Sequence, residues 1–365
     1  MNAMEVAELP PRAERHDMMR LVAETLPKLT FETWNFGDSV GFEALVAATD
    51  ALDDDRWISF THGWMRSWAT RSQPYRLLDC TAPGLAMVEV ARRTGDGALT
   101  VAAVQLARYL MSRPTLHGIF EVWENSCLIQ PYGGEALPPD EAQLLAEPPE
   151  GVFLDCMHFD PPFFTALGRL TEDENLVDVG VQQALLYSSL LQQESGLFDH
   201  FALRGVPDRT FGPGWGRGQG WALLGLLDVI KVLPLDDVDR AALVERARRL
   251  IAAMIDCQRP DGHWSAVVTD PASGLESSTA AFMAAAFARA VRLDVVEETD
   301  AMPAACRALA AALNQTDSQG RLSEVSAAVM ASTRPSHYCH VPRGFLVTWG
   351  QGPLMLALAE LADQD

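Results

Sequence analysis

The segment Val152-Phe153-Leu154-Asp155-Cys156-Met157-His158-Phe159-Asp160-Pro161-Pro162 sets a carboxyl group among apolar neighbours. Phe153, Met157 and Phe159 would strip water from Asp155 and raise its pKa, as a general acid requires. Asp is equally a favoured helix N-cap. The two readings agree if that helix start faces a cavity. Leu78-Asp79-Cys80 repeats the pattern: Thr94 follows Asp79 after 15 residues, and Thr171 follows Asp155 after 16. Two carboxylates at equivalent helix starts could form an acid/base pair. His158 lies one helical turn from Asp155, close enough to perturb its titration.

A second group runs Trp215-Gly216-Arg217-Gly218-Gln219-Gly220-Trp221. Its glycines allow close backbone approach, and its Trp rings offer flat faces with polar edges. Arg217 offers a planar fork suited to a carboxylate. The same string also reads as a Gly-rich turn before a core helix. His200, in Gly196-Leu197-Phe198-Asp199-His200, is a loop histidine or a site residue. Gln258-Arg259-Pro260-Asp261-Gly262-His263-Trp264 reads as a turn with a packed Trp.

The elements that must position these groups are helices. Apolar residues recur at i, i+3, i+4 and i+7 over 17–29, 38–51, 54–71, 79–94, 96–113, 153–170, 174–193, 216–232, 236–257, 275–293, 300–315 and 343–363. Helices apolar on most faces, such as Ala280–Ala286, alternate with amphipathic ones, such as 236–257. The first kind is buried and the second peripheral. Six inner–outer pairs predict an all-α (α/α)6 toroid over residues 17–365, preceded by a flexible tail at 1–16. A closed ring gathers the inner helix ends around one mouth, where polar groups converge on a cavity. The loops 114–152 and 194–215 are long enough to rim it. Gly262–Thr269 alternates loosely and is the one short strand expected.

Composition narrows the partners. Net charge is −21 and pI about 4.7, which excludes nucleic acid as a natural ligand. An anionic substrate would need local cations, which makes Arg217 informative. No run is apolar enough to cross a membrane, and the start lacks a signal-peptide pattern. The six Cys show no C-x-x-C spacing, so no metal or redox cofactor is expected and a cytoplasmic setting is. Oligomeric state is not legible.

Taken in order, Asp155 with Pro162-Phe163, Gly196-Leu197-Phe198 with His200, and Trp215-Gly-Arg217-Gly-x-Gly-Trp221 resemble the unsaturated uronyl hydrolases, glycoside hydrolase families 105 and 88. The match is best over 75–235. Gly262-His263-Trp264, Glu276-Ser277-Ser278 and Trp349-Gly350-Gln351-Gly352-Pro353 extend it. The resemblance implies an α/α toroid that hydrates the C4–C5 double bond of a terminal unsaturated galacturonyl or glucuronyl residue on a lyase-derived oligosaccharide. It implies Asp155 as general acid/base, Asp79 as its partner, and His200, Trp215, Arg217 and Trp221 in the sugar subsite. Phe153, where the family has Trp, and His158 belong to the same candidate lining; Gln219 stands for the usual Asn. Two other readings stay open. One is a different α/α-toroid enzyme, an inverting glycosidase or an epimerase using His158, His200, His263 or His337. The other is a non-catalytic glycan-binding relative.

Overall fold

Why the apolar helices end up innermost is clearest in α11, where every residue from Ser277 to Ala290 is buried. Such a helix has no face to offer water, so it must be surrounded. The computed structural model describes residues 9–31, 36–70, 75, 81–122, 132–206, 208–329 and 331–364.

Its helices are α1 (Arg12–Thr25), α2 (Phe36–Leu52), α3 (Arg56–Ala69), α4 (Gly84–Thr94), α5 (Gly97–Met111), α6 (Pro139–Ala146), α7 (Cys156–Thr171), α8 (Glu174–Leu191), α9 (Gly216–Ile230), α10 (Val238–Asp256), α11 (Ser277–Arg292), α12 (Glu298–Asn314), α13 (Pro335–Cys339) and α14 (Thr348–Glu360). Inner helices α2, α4, α7, α9, α11 and α14 each pack on the next, and α14 meets α2 to close the circle. The outer helices α3, α5, α8, α10 and α12 each pack on the inner helix preceding them in the chain. Helix α1 is the outer partner of α14. The fold is the (α/α)6 toroid. No helix among the described residues is long and apolar enough to cross a membrane.

Small residues let the inner helices touch. A Cβ on Gly225 of α9 would sit 2.2 Å from the Met157 carbonyl of α7, and one on Gly352 of α14 would sit 2.8 Å from the Val40 carbonyl of α2. The hairpin loops are pinned to the neighbouring outer helix. Gly196 adopts φ +90, and its missing Cβ leaves room for the Arg249 carbonyl of α10, which a Cβ would approach to 2.5 Å.

Several boundaries differ from expectation for physical reasons. Helix α1 begins at Arg12, inside the stretch read as a tail. Arg15 is buried and donates to the backbone carbonyls of Pro10, Ala362 and Gln364, tying that stretch to the end of α14. Helix α7 begins at Cys156 because Gly151–Phe153 is drawn off as a strand, β3. That strand pairs antiparallel with β4 (Phe201–Leu203), and β4 with β5 (Thr210–Phe211). The expected strand near 262–269 is β6 (Ser265–Val267), paired with β7 (Asp270–Leu275). A small hairpin, β1 (Thr115–Leu116) and β2 (Ile119–Phe120), lies in the 114–152 loop, which also carries α6.

Candidate active site

The sheet β3–β4–β5 brings Asp155 and His200 together. Phe153 is in register with Phe201, and Leu154 N–H donates to the His200 carbonyl at 2.8 Å. His200 N–H in turn donates to the Phe211 carbonyl at 2.7 Å. Asp155 sits just past the end of β3, His200 just before β4. Their side chains meet with Nε2 3.3 Å from Oδ2. Asp155 precedes α7 but makes no side-chain cap to it, so its carboxyl is not spent on the helix end.

That carboxyl lies on a cavity of about 140 Å³. Apart from Asp155, His200, Arg217, Thr81 and Cys156, its described lining is aromatic and aliphatic: Phe36, Val122, Phe153, Phe159, Trp215, Ala328, Val329 and Ala331. Phe153 stacks on Phe201 with ring centroids 5.5 Å apart and meets His200 edge-on. Trp215 lies against His200, centroids 4.3 Å apart.

Arg217 is buried at the start of α9, its guanidinium carbon 5.1 Å from the Trp215 ring centroid. It donates to Ser326 Oγ at 2.6 Å and to the Ala327 carbonyl at 3.2 Å. Its Nη1 lies 3.4 Å from Glu276 Oε1. Glu276 is the side-chain N-cap of α11, accepting from Thr279 N–H at 3.0 Å. Ser278 Oγ, Thr279 Oγ1 and Ser326 N–H also donate to it. Burial pushes the Glu276 carboxyl up. Arg217 and these donors outweigh that and hold it below the usual range. Burial lowers the Arg217 pKa, while Glu276 and Asp155 oppose the drop.

Gln219, the departure inside the Gly-rich string, has a clear task. Its amide accepts from Phe198 N–H at 2.8 Å and donates to the Phe198 carbonyl at 2.9 Å, fastening the His200 loop to α9.

Phe153, Asp155, His200, Trp215 and Arg217 therefore meet around one cavity. Two candidates do not join them. Trp221 is fully buried behind Phe159, packed against Phe282, His158 and Phe159, and does not line the cavity. His158 is also fully buried. Its Nε2 lies 3.1 Å from Glu43 Oε1, because that carboxylate, 115 positions away, is its partner in the ring interior. Asp79 lies outside the described residues. Of the four histidines weighed for an epimerase, His200 alone is among the described cavity residues. His263 is buried elsewhere, and His337 bonds Ser332 Oγ and the Glu135 carbonyl.

Glu43, His158 and Asp228 place donor atoms within 4.8 Å of one another. The donor set fits a metal poorly, because the cations are already supplied by protein. Arg289 contacts both Asp228 oxygens at 3.1 and 3.0 Å, and Lys231 lies at 2.6 Å. Burial raises the Asp228 carboxyl, but Arg289 and Lys231 more than reverse this, down to about 2.

Comparison with known proteins decides the family. The model for Glycosyl Hydrolase Family 88 matches residues 14–364. The chain belongs to glycosyl hydrolase family 88. It is 25% identical over 351 residues to the unsaturated rhamnogalacturonyl hydrolase YesR of Bacillus subtilis, covering 94% of this chain and 93% of that one. A possible GH105 family member from Salmonella enterica superposes with TM-score 0.79 at 21% identity, over 97% of this chain and 94% of that one. The unsaturated glucuronyl hydrolase of Bacillus sp. GL1 superposes with TM-score 0.71 at 18% identity, over 95% and 96%. This member of family 88 is thus a glycoside hydrolase whose cavity sits at the mouth of the toroid.

Proposed function

We propose that the enzyme hydrates the C4–C5 double bond of a terminal unsaturated uronic acid, so releasing the sugar attached at C1. Asp155 carries the reading: a carboxyl on an apolar cavity, one oxygen facing His200 and the Arg217 guanidinium nearby. In its acid form Asp155 gives a proton to C4, and positive charge builds at C5 and the ring oxygen. The resulting carboxylate then takes a proton from water as that water's oxygen bonds to C5. The product is a hemiketal. It opens to a ketone at C5, and the freed hemiacetal at C1 expels the neighbouring sugar. Arg217 lends positive potential for the substrate carboxylate, while Trp215 and Phe153 offer ring faces to the sugar. Asp79 is proposed as the second carboxylate.

Galacturonic and glucuronic acids differ at C4, and elimination erases that centre. The unsaturated residue is then the same from either source, so selectivity has to come from the linkage and the leaving sugar. Among the described cavity residues Arg217 is the sole Arg or Lys, and Glu276 already offsets it. The rest of the wall is largely apolar. This supports an uncharged, weakly polar leaving sugar over a sulfated one, and the likeness to a rhamnogalacturonyl hydrolase points the same way. Free thiols at Cys257, Cys306 and Cys339 support a reducing, cytoplasmic setting.

The test is a panel of lyase-generated disaccharides, with and without sulfate, followed by loss of the ultraviolet absorbance of the conjugated enol carboxylate. Wild type should consume the unsulfated members. Asp155→Asn should lose about 10²-fold or more in kcat while its unfolding free energy stays within about 0.5 kcal/mol of wild type, since no helix cap is lost. An active Asp155→Asn enzyme refutes the assignment.

A further inference from the structure

Behind His200 lies a residue that neither the cavity nor the sequence pattern singles out. Tyr338, on the five-residue helix α13, is buried, with its hydroxyl 2.9 Å from His200 Nδ1. The opposite ring nitrogen of His200 faces Asp155 at 3.3 Å. Asp155, His200 and Tyr338 thus form a line from the reacting carboxyl into the protein.

The hydroxyl has one proton to give. Ser332 N–H donates to its oxygen at 3.3 Å, and the Ser332 carbonyl is an alternative acceptor at 3.4 Å. The contact to His200 Nδ1 is the shorter, so the phenol proton goes there. Burial pushes the Tyr338 pKa up, and the carboxylates of Asp155 and Asp199 push the same way, so Tyr338 stays a phenol donor. Packing leaves little freedom to rearrange: a Cβ on Gly212 would lie 2.3 Å from the hydroxyl and 2.7 Å from His200 Cβ.

We propose that Tyr338 is a positioning residue: its hydroxyl occupies Nδ1 of neutral His200, so the ring proton resides on Nε2 and points at Asp155. This rests on Asp155 as the acid/base. The Nε2–H then steadies one oxygen of the carboxylate formed after proton transfer and leaves the other free to handle the reacting proton. When His200 is cationic, the hydroxyl turns to the Ser332 carbonyl and accepts from Nδ1–H instead. The charged and titratable groups around the line are Asp155, Asp199, the Arg217–Glu276 pair, and His337 beside Tyr338. His337 is occupied by Ser332 Oγ at 2.7 Å and the Glu135 carbonyl at 2.9 Å.

The experiment is nitrogen NMR of ¹⁵N-histidine-labelled enzyme, with His200 assigned by its disappearance in His200→Gln. Wild-type His200 should show the Nε2–H tautomer, and Tyr338→Phe should lose that bias. A wild-type Nδ1–H tautomer overturns the proposal, and so does a folded Tyr338→Phe enzyme with unchanged tautomer. The tautomer readout needs no substrate and no turnover. A chain inactive on every unsaturated uronide therefore sinks the proposed function while this result still stands or falls alone. On active enzyme, Tyr338→Phe should lower kcat about tenfold, a fraction of what positioned proton transfer contributes, with KM within about twofold. The alkaline limb of kcat should move to higher pH, because an Nε2 lone pair facing Asp155 favours its protonated form. A fall in kcat with the limb unmoved marks a merely structural role and overturns the proposal.

Discussion

Replacing Glu276 by Ala removes one carboxylate from a fully buried ion pair and strands its partner. Arg217 keeps its charge, because a guanidinium does not deprotonate in proteins, and it cannot reach water. Ser326 Oγ and the Ala327 carbonyl remain to it, at 2.6 and 3.2 Å. Thr279 N–H, Ser278 Oγ and Ser326 N–H lose their acceptor at the same time. Breaking a buried pair from one side costs about 3–5 kcal/mol. Unfolding entropy is about 2.1 cal/mol/K per residue, which over 365 residues gives ~0.8 kcal/mol/K. The melting midpoint should therefore fall by ~4–6 °C, with a matching fall in the urea midpoint at unchanged slope. Glu276→Gln combined with Arg217→Met removes both charges at similar volume, and should recover most of the loss. The comparison by thermal and urea unfolding separates two accounts. If Glu276→Ala shifts stability by less than about 1 kcal/mol, or the double variant is as unstable as the single, the buried pair is not what holds this corner of the site.

Two further outcomes follow from the interior. Asp160 of α7 is wholly buried, and burial, only partly countered by Arg113, pushes its carboxyl up to about 8. A folded pKa above the unfolded one means stability is full at low pH and drains as pH rises toward about 8. Asp160→Asn should flatten that decline, matching wild type near the unfolded carboxylate pKa of about 4 and exceeding it in mildly alkaline buffer; parallel curves from urea titrations across that range would refute it. Gly225→Ala drives a methyl into the Met157 carbonyl, 2.2 Å away, where α9 crosses α7. Overpacking there should cost about 1–3 kcal/mol and reduce kcat as well, since α7 begins at the residue after Asp155. Unchanged melting in this variant would show that the two helices can separate freely.

How far the sequence could be read depended on the range of each interaction. Helix periodicity is local, and the ring's elements follow from it in order and nearly in extent. Asp155, His200, Trp215 and Arg217 carried motif spacing, and the structure sets them around one cavity. The sheet that aligns Asp155 with His200 is built from strands of two and three residues, too short to show a period of two. Glu276 stood inside the helix expected over 275–293; the structure makes it the cap of α11, and its second task depends on Arg217, 59 positions earlier. Tyr338 sits in a five-residue helix whose meaning comes entirely from His200, 138 positions back. His158 and Trp221 misled for the opposite reason. Their neighbours along the chain belong to the cavity, but an inner helix has faces turned into packed protein, and those two side chains occupy them.

The pairing of α1 with α14 has a mechanical meaning. Outer helices elsewhere are tethered to their inner partners by short connections, whereas this seam joins the opening helix of the ring to its final one without any covalent link. It works as a clasp. Arg15 threads its guanidinium to carbonyls at 362 and 364, and Arg12 grips Asp363, so the circle can be sealed only after its last helix exists. A chain paused before that moment would present α14's neighbours α2 and α11 as two unsatisfied apolar walls.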